Sequence, residues 1–293
     1  MLFASLPNPN SPEVANLCPW GRETIVINDV AEQAAYGRHT APLSLKTTLR
    51  GVESYNVHGF TEQVTAGDCL AVNAGQEYAS TIDSHAPVQS LCIFFSMDDE
   101  VEARRAALTD EALADEPSLA GPAFEFAAVK RVPSETLHLM LKALPAQRYA
   151  PRLEQQSFSL VLLAAAMNWE RPHWRNADAL PALRATTRAE LYRRCSIGRA
   201  YLEAMHADDV GLNDAAAAAG LSRTHFLRAY KACFGETPAD SLRRIRLDRA
   251  AALLCNGKRS VSEIALAVGY SDFSAFARAF RARHGATPSS MRS

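Results

Sequence analysis

The sequence predicts an α+β chain of two domains, a barrel of short strands with accessory helices first and an all-α domain last. Three observations lead there. One passage near the C-terminus is written twice at an offset of 50 residues, residues 24 to 95 alternate with the period of β-strands, and the charge is unevenly placed. From Arg188 onward there are 17 Lys and Arg against 10 Asp and Glu, which leaves 14 against 22 in the residues before it. A basic third attached to an acidic remainder is the asymmetry expected when one part meets a polyanion and the other does not. With 293 residues, the chain can bury two separate cores.

Taken in order, residues 1–22 are rich in Pro and Asn and are expected to form an arm with little fixed structure. Residues 23–175 form the first domain. Leu43, Leu45, Thr47 and Leu49 alternate in one strand, and Val88 to Phe95 reads as a mostly buried strand. Between them, shorter strands at 55–58, 60–65, 69–72 and 78–82 are separated by Gly59, Ala66-Gly67-Asp68 and Asn73-Ala74-Gly75, which supply turn geometry. Strands at this spacing suggest a sandwich or small barrel. Helices are expected over 98–114 and 133–144, with one further strand at 123–129. The strongest helix spans 152–169, where Leu153, Phe158, Leu160, Val161, Leu162, Leu163 and Met167 exceed what one buried face requires. The surplus fits packing against the barrel or against a second subunit, and a homodimer is left open on that ground. The tract from Asn168, with prolines at 172 and 181, reads as the approach to a linker at 176–187.

The series Gly51, His58-Gly59, Glu62, Gly67-Asp68, Leu70 and Gly75 resembles the cupin fold, a β-barrel shared by small-molecule sensors and some metal enzymes. A cupin metal site needs about three protein ligands with one position open. Only His58, Glu62 and a loop residue, His85, stand near the motif, and residue 56 is Asn where the motif's second His belongs. No metal or other cofactor is therefore expected. A concave pocket for a small effector is the better use of such a barrel.

The six cysteines show no CxxC pair and no metal-ligand spacing. They are expected to be reduced and mostly buried, with Cys69 and Cys92 the one pair placed to meet as a redox switch. Residues 1–13 lack the basic start and apolar core of a secretion signal, and the most apolar stretch, 160–167, is too short to span a bilayer. A cytoplasmic, nucleoid-associated protein without membrane contact is the expectation.

The last domain, residues 188–293, holds the duplicated passage. In the second copy Ser260 and Glu263 fit a capping box, and Val261, Ile264, Ala265 and Val268 form one apolar face before Gly269 stops the helix. A second helix is expected from Ser271, with Phe273, Phe276, Ala277 and Phe280 inward and Ser274, Arg278 and Arg281 outward. The first copy runs from Leu212 through Gly220 and from Ser222 to Phe234, with Arg223, Thr224, Arg228 and Lys231 outward. A short helix, a tight turn and a helix with a basic outer face is the helix-turn-helix.

Gly220-Leu221-Ser222, Phe226-Leu227-Arg228, Lys231 and Gly235 to Pro238, followed by Ile264 to Asp272, Phe276 to Arg281, Gly285 and Thr287-Pro288, resemble the AraC/XylS family of bacterial transcription regulators. The resemblance implies a homeodomain-like double helix-turn-helix of seven helices. A long central helix, Pro238 to about Leu254, would hold two reading helices about 34 Å apart, so that they meet successive major-groove segments. It places base reading on Thr224, Leu227 and Arg228 in the first copy and on Phe273, Ser274 and Arg278 in the second. Arg suits this task because its planar fork binds guanine O6 and N7 together, whereas Leu227 and Phe273 fit either thymine methyl groups or the core. Lys231, Arg243, Arg246, Lys258 and Arg281 are expected at phosphates, which add affinity without sequence information.

The expectation is a regulator rather than an enzyme. Its partners would be double-stranded promoter DNA, a small effector and, as the family implies, RNA polymerase. The rival is a metal-dependent cupin enzyme with an appended DNA module. A DNA-repair adapter would need a metal-held cysteine cluster that the spacing does not provide.

Overall fold

The computed structural model describes residues 1–7, 21–107, 126, 129–177, 185–255 and 259–291. The chain divides into two compact units, Met1–Arg175 and Asn176–Ser293. The first is rich in sheet and the second is helical.

Among the described residues of the first unit there are eight strands: β1 (Leu2–Ala4), β2 (Ile25–Thr40), β3 (Ser44–Arg50), β4 (Val52–Val57), β5 (Phe60–Thr65), β6 (Cys69–Val72), β7 (Glu77–Phe94) and β8 (Lys130–Arg131). They form one sheet in the order β1-β2-β7-β3-β6-β8, with β4 paired to both β5 and β7. β7 is the hub. Its first half pairs with β4 from Tyr78 to Thr81, its second half pairs with β3 from Gln89 to Phe94, and β2 runs antiparallel along nearly its whole length. Register shifts at Ala31/Gln33, Tyr36/His39 and Thr48/Arg50 bend the long strands. Side chains of the β4–β5 hairpin, Tyr55, Val57 and Val64, share one core with Leu70, Val72, Cys92 and Phe94, so the sheet curls over itself. Among the described residues no ladder joins its ends. The expected barrel is thus an open curled sheet, because β8 is only two residues long and β5 pairs with β4 alone.

Alternate residues of the central strands face two different cores, which is why these strands read as unbroken apolar runs. Val26, Leu45, Cys69, Ala71, Leu91 and Ile93 face the helices α1 (Met97–Ala107), α2 (Glu135–Ala143) and α3 (Arg152–Ala177), meeting Ala103, Leu137, Leu141, Leu162, Leu163, Ala166 and Met167. The apolar surplus of α3 is therefore divided: Leu162 and Leu163 are buried on the sheet, while Leu153 and Val161 stay exposed. Polar groups fix the same seam. Thr24 and Ser159 both donate to Asp99 Oδ2, at 2.5 and 2.6 Å, and Trp169 donates its indole N–H to Val132 O at 3.0 Å. Arg131 pairs with buried Glu170 and lies 4.4 Å from the Trp169 ring.

The opposite face carries a buried polar row. Lys46, paired across β3 and β7 with Cys92, is 1% exposed. It donates to Tyr78 Oη at 2.9 Å and sits 3.7 Å from the Phe94 ring centroid. Tyr55 Oη lies 3.5 Å from Cys92 Sγ, and Ser90 donates to buried Glu53 at 2.6 Å. Cys69 belongs to the helix-facing core and Cys92 to this one, so the two thiols are buried as expected, and the alternative of a redox pair is removed because they point to opposite sides of the sheet.

Other expectations need correction. The first residues are not a loose arm: β1 pairs in parallel with β2 at Leu2↔Ile25, the Leu6 amide donates to Asp29, and Tyr36 Oη donates to Pro7 O. The strand expected at 123–129 falls mostly outside the described residues, and the pairing there is β8 on β6. Helix α3 continues through Pro172 to Ala177, where a linker approach was expected. A proline lacks one helix donor, and here the helix runs past that gap.

In the second unit, α4 (Ala185–Ala204), α5 (Leu212–Ala218) and α6 (Arg223–Phe234) form one three-helix core. The long α7 (Pro238–Cys255), α8 (Val261–Ala267) and α9 (Phe273–His284), closed by a 3-10 turn at Pro288–Met291, form another. The expected seven helices are six α-helices and this turn among the described residues. Helix α7 serves both cores, giving Ile245 to the first and Leu247, Ala250 and Leu254 to the second. Gly198 shows how close the first core is. A Cβ there would lie 2.5 Å from Phe226 Cε2 and 3.1 Å from Ala215 O, so α4 uses glycine despite a helix cost of about 1 kcal/mol.

Lys46 yields a measurable consequence. Burial pushes its ammonium from the usual 10.5 down to about 8, against the opposing pull of Cys92 and Glu53. Between those values the unfolded chain binds more protons than the folded one, so this group makes the first unit more stable as pH rises from about 8 to 10. Lys46→Met removes the contribution. The variant should be more stable than wild type at pH 7 by roughly 1–3 kcal/mol, with the gap narrowing by pH 9.5. All three tryptophans, at 20, 169 and 174, lie in this unit, so fluorescence-monitored urea unfolding reports on it. A gap independent of pH contradicts the assignment.

Candidate nucleic-acid interface

Local sequence sets both second helices in the same way. Ser222 caps α6, accepting from the His225 amide, and Asp272 caps α9, accepting from the Ser274 amide at 2.8 Å. The second helix thus begins at Phe273 with Asp272 as its cap, rather than at Ser271. Gly235 and Gly285 end the two helices, each at φ 72°, with amides bonded 2.9 Å to Lys231 O and Arg281 O. Inside, Phe226 and Tyr230 in α6 match Phe276 and Phe280 in α9, and all four are fully buried. Tyr230 adds a bond to Ser241 on α7 at 2.7 Å. The first helices also correspond: Asp214 accepts from the Gly211 amide, and Ser260 and Glu263 form the reciprocal capping box expected from the sequence.

With the inner faces fixed, the outer faces follow from helical geometry. Thr224, Leu227, Arg228 and Lys231 stand one above another on α6, and all are exposed. Ser274, Arg278 and Arg281 do the same on α9, with Phe273 at its first position, also exposed. Leu227 and Phe273, for which the sequence left two readings open, are on the surface at 37% and 46% exposure, so Phe273 does not belong to the inward stripe expected for its helix.

The cations of this unit separate into two sets. Arg194 is held by Glu190 and Gly220 O, Arg199 by Glu203, Arg244 by Glu236, and Arg283 by a two-point contact with Asp248 at 2.6 and 2.9 Å. By contrast, the side chains of Arg223, Arg228, Lys231, Arg278 and Arg281 have no hydrogen bond or ion pair among the described residues, and the same holds for the exposed Arg249 and Arg259, which lie off these two helices. Arg243 is intermediate, exposed and 3.4 Å from Asp240. Lys258 lies outside the described residues.

Arg246, expected at a phosphate, is placed otherwise. Its Nε donates to His206 O at 2.7 Å and its Nη2 to Asp208 O at 2.8 Å, both in the α4–α5 connection. The same guanidinium packs on Gly269, in the turn between α8 and α9. A Cβ there would lie 2.9 Å from Arg246 Cζ and from His206 O. Gly269 also adopts φ +84°, so the position excludes side chains on two grounds. Burial, with help from Arg249 and Arg246, pushes the His206 imidazole below its usual range, against the backbone bond to Glu203 O. The sequence offered only the glycine, at an offset of 49 rather than 50 from Gly220. It offered no sign that Arg246 would reach it.

Residues 215–293 match a family described as a helix-turn-helix domain. The MmsAB operon regulatory protein of Pseudomonas aeruginosa is 38% identical over 77 residues, 26% of this chain and 25% of that protein. The transcriptional activator NphR of a Rhodococcus species is 33% identical over 109 residues, 36% of this chain and 32% of that protein. A solved transcriptional regulator with an AraC-type DNA-binding domain, from Chromobacterium violaceum, aligns with 34% of this chain and 88% of its own, at 28% identity and a TM-score of 0.33. The chain spans between a quarter and a third of the length of these two curated relatives.

The clamp can be tested by itself. Arg246→Ala should destabilise the second unit by about 2 kcal/mol, because two charge-assisted bonds to carbonyls are lost. The exposed control Arg249→Ala should stay within about 0.5 kcal/mol of wild type. Far-ultraviolet circular dichroism through urea unfolding measures both. Equal effects from the two variants would remove Arg246 from this role.

Proposed function

We propose that this chain, whose C-terminal unit carries an AraC-type helix-turn-helix domain, is a sequence-specific transcription regulator that binds promoter DNA through α6 and α9. The observation that carries the reading is the separation of the cations. Those on the outer faces of α6 and α9 make no hydrogen bond or ion pair among the described residues, while most of their neighbours, Arg249 and Arg259 excepted, are neutralised by acids or held by carbonyls. A cation kept exposed and unengaged on a reading helix is available to a base edge or a phosphate. In this reading Thr224, Leu227 and Arg228 face one half-site and Phe273, Ser274 and Arg278 the other. Lys231, Arg281 and Arg243 meet phosphates, as does Lys258, and Arg246 is withdrawn from that set because its donors already serve the fold.

The first unit is proposed to be a cupin-like effector domain. Its support is the buried row of Lys46, Tyr78, Tyr55 and Glu53 on the face of the sheet away from the helices. An effector regulates only if it binds one arrangement of the chain better than another. Activation is proposed from the activator among the relatives, and contact with RNA polymerase from the family resemblance of the sequence. A homodimer is proposed from the exposed Leu153 and Val161 on α3, and sedimentation giving a single-chain mass at micromolar concentration would count against it. Among the described residues no cluster of His, Cys, Asp or Glu fit to hold a metal is found, and no helix is long and apolar enough to cross a membrane. No catalytic residue is assigned, and a cytoplasmic location accompanies the DNA reading.

Binding to selected duplexes tests the proposal. Arg228→Ala and Arg278→Ala should each weaken the specific site by about 1–3 kcal/mol while leaving random DNA less affected. Equal loss on specific and random DNA would make both arginines phosphate contacts. Log affinity should fall steeply and linearly with log salt, and a flat response would contradict DNA binding itself.

A further inference from the structure

The two reading helices are unequal at their base-facing positions. In the register that sets Arg228 on Arg278 and Lys231 on Arg281, Thr224 falls on Ser274, but Arg223 falls on Phe273 and Leu227 on Ala277. Phe273 is the first residue of α9, directly after the Asp272 cap. Its ring centroid is 6.3 Å from that of Phe276, which is fully buried and stacks in turn near Tyr270 and Phe280. One edge of Phe273 therefore rests on the core, and the side chain remains 46% exposed. Among the described residues of this unit the large hydrophobic side chains left exposed are Leu227, Leu266 and Phe273, two of them on reading helices.

An exposed phenyl ring forgoes burial in the unbound protein and recovers it only against an apolar surface. In the major groove the apolar group a base pair presents is the thymine 5-methyl, and the residues that reach base edges lie toward the start of a recognition helix. Phe273 meets both conditions beside Arg278, whose guanidinium suits guanine.

We propose that Phe273 reads the 5-methyl group of a thymine in the α9 half-site, beside the guanine read by Arg278, so that the two half-sites differ in chemistry as well as in sequence. The inference rests on the DNA-binding reading above. It assigns a specificity role to a residue whose equivalent in the first copy, Arg223, is polar.

A uracil scan tests it. The full chain selects a specific duplex from random DNA, and each thymine is then replaced by uracil, which removes the methyl group and leaves the hydrogen-bonding edges unchanged. One replacement should weaken wild type by about fourfold, the value of one buried methyl group. That thymine should lie in the half-site whose guanine ceases to matter in Arg278→Ala. Phe273→Ala should bind the thymine and uracil duplexes equally. A scan with no sensitive thymine in that half-site overturns the proposal, as does a Phe273→Ala protein that still distinguishes the two bases. If Phe273→Ala does not fold, the wild-type scan decides alone. Failure to select any specific duplex counts instead against the DNA-binding reading, so the two failures are distinct.

Discussion

Arg246 is the contact on which the second unit's geometry depends. The two helix-turn-helix copies have separate cores, and the long helix α7 is common to both. A shared helix alone does not fix how the copies are turned about it. Arg246 adds that constraint by bonding two carbonyls of the α4–α5 connection, which leads into the first copy, while its guanidinium packs over Gly269 of the second. The Glu236–Arg244 pair ties α7 to the end of α6 and the Asp248–Arg283 pair ties it to α9, each within one copy, and such partly exposed pairs contribute about 0–1 kcal/mol each. Charge-assisted bonds to carbonyls whose geometry is fixed by their own turns hold position better.

The consequence is a division of labour among arginines of similar sequence context. Arg243, Arg244 and Arg246 follow each other on α7, yet one faces solvent, one pairs with Glu236 and one clamps two turns. Reading helices that must find successive segments of a duplex gain from such rigidity, because less is lost in ordering them on binding. In the first unit the logic is reversed. There a lysine is buried on the face of the sheet away from the helices, bonded to Tyr78 and, among the described residues, with no carboxylate at ion-pair distance.

Much of this was legible in the sequence. Strands β3 and β5 follow from alternation and β6 from a short apolar run between turn residues, and the capping box of α8 was readable from Ser260 and Glu263 alone. The outward positions of α6 and α9 follow once Phe226, Tyr230, Phe276 and Phe280 are taken as inward. Other features depend on distant partners and leave little local trace. β1 has only three residues, and its pairing is decided by Ile25 to Ile27. β2 reads as polar beyond Ile27 because much of that stretch is exposed. Pro172 signals a helix end, but the helix continues. Cys69 and Cys92 both fall on strands, and only the register shows them on opposite faces. Gly198 and Arg246 matter through residues at 226 and 269, which no pattern near either of them announces.

The central claim is that one chain presents two reading helices at a fixed spacing on one side of DNA. Guanine N7 methylation protection on a selected duplex tests it most directly. The account predicts two protected major-groove patches about one helical turn, or 10–10.5 base pairs, apart and unlike in sequence. A single protected patch, or two patches whose separation varies among equally tight sites, would contradict it.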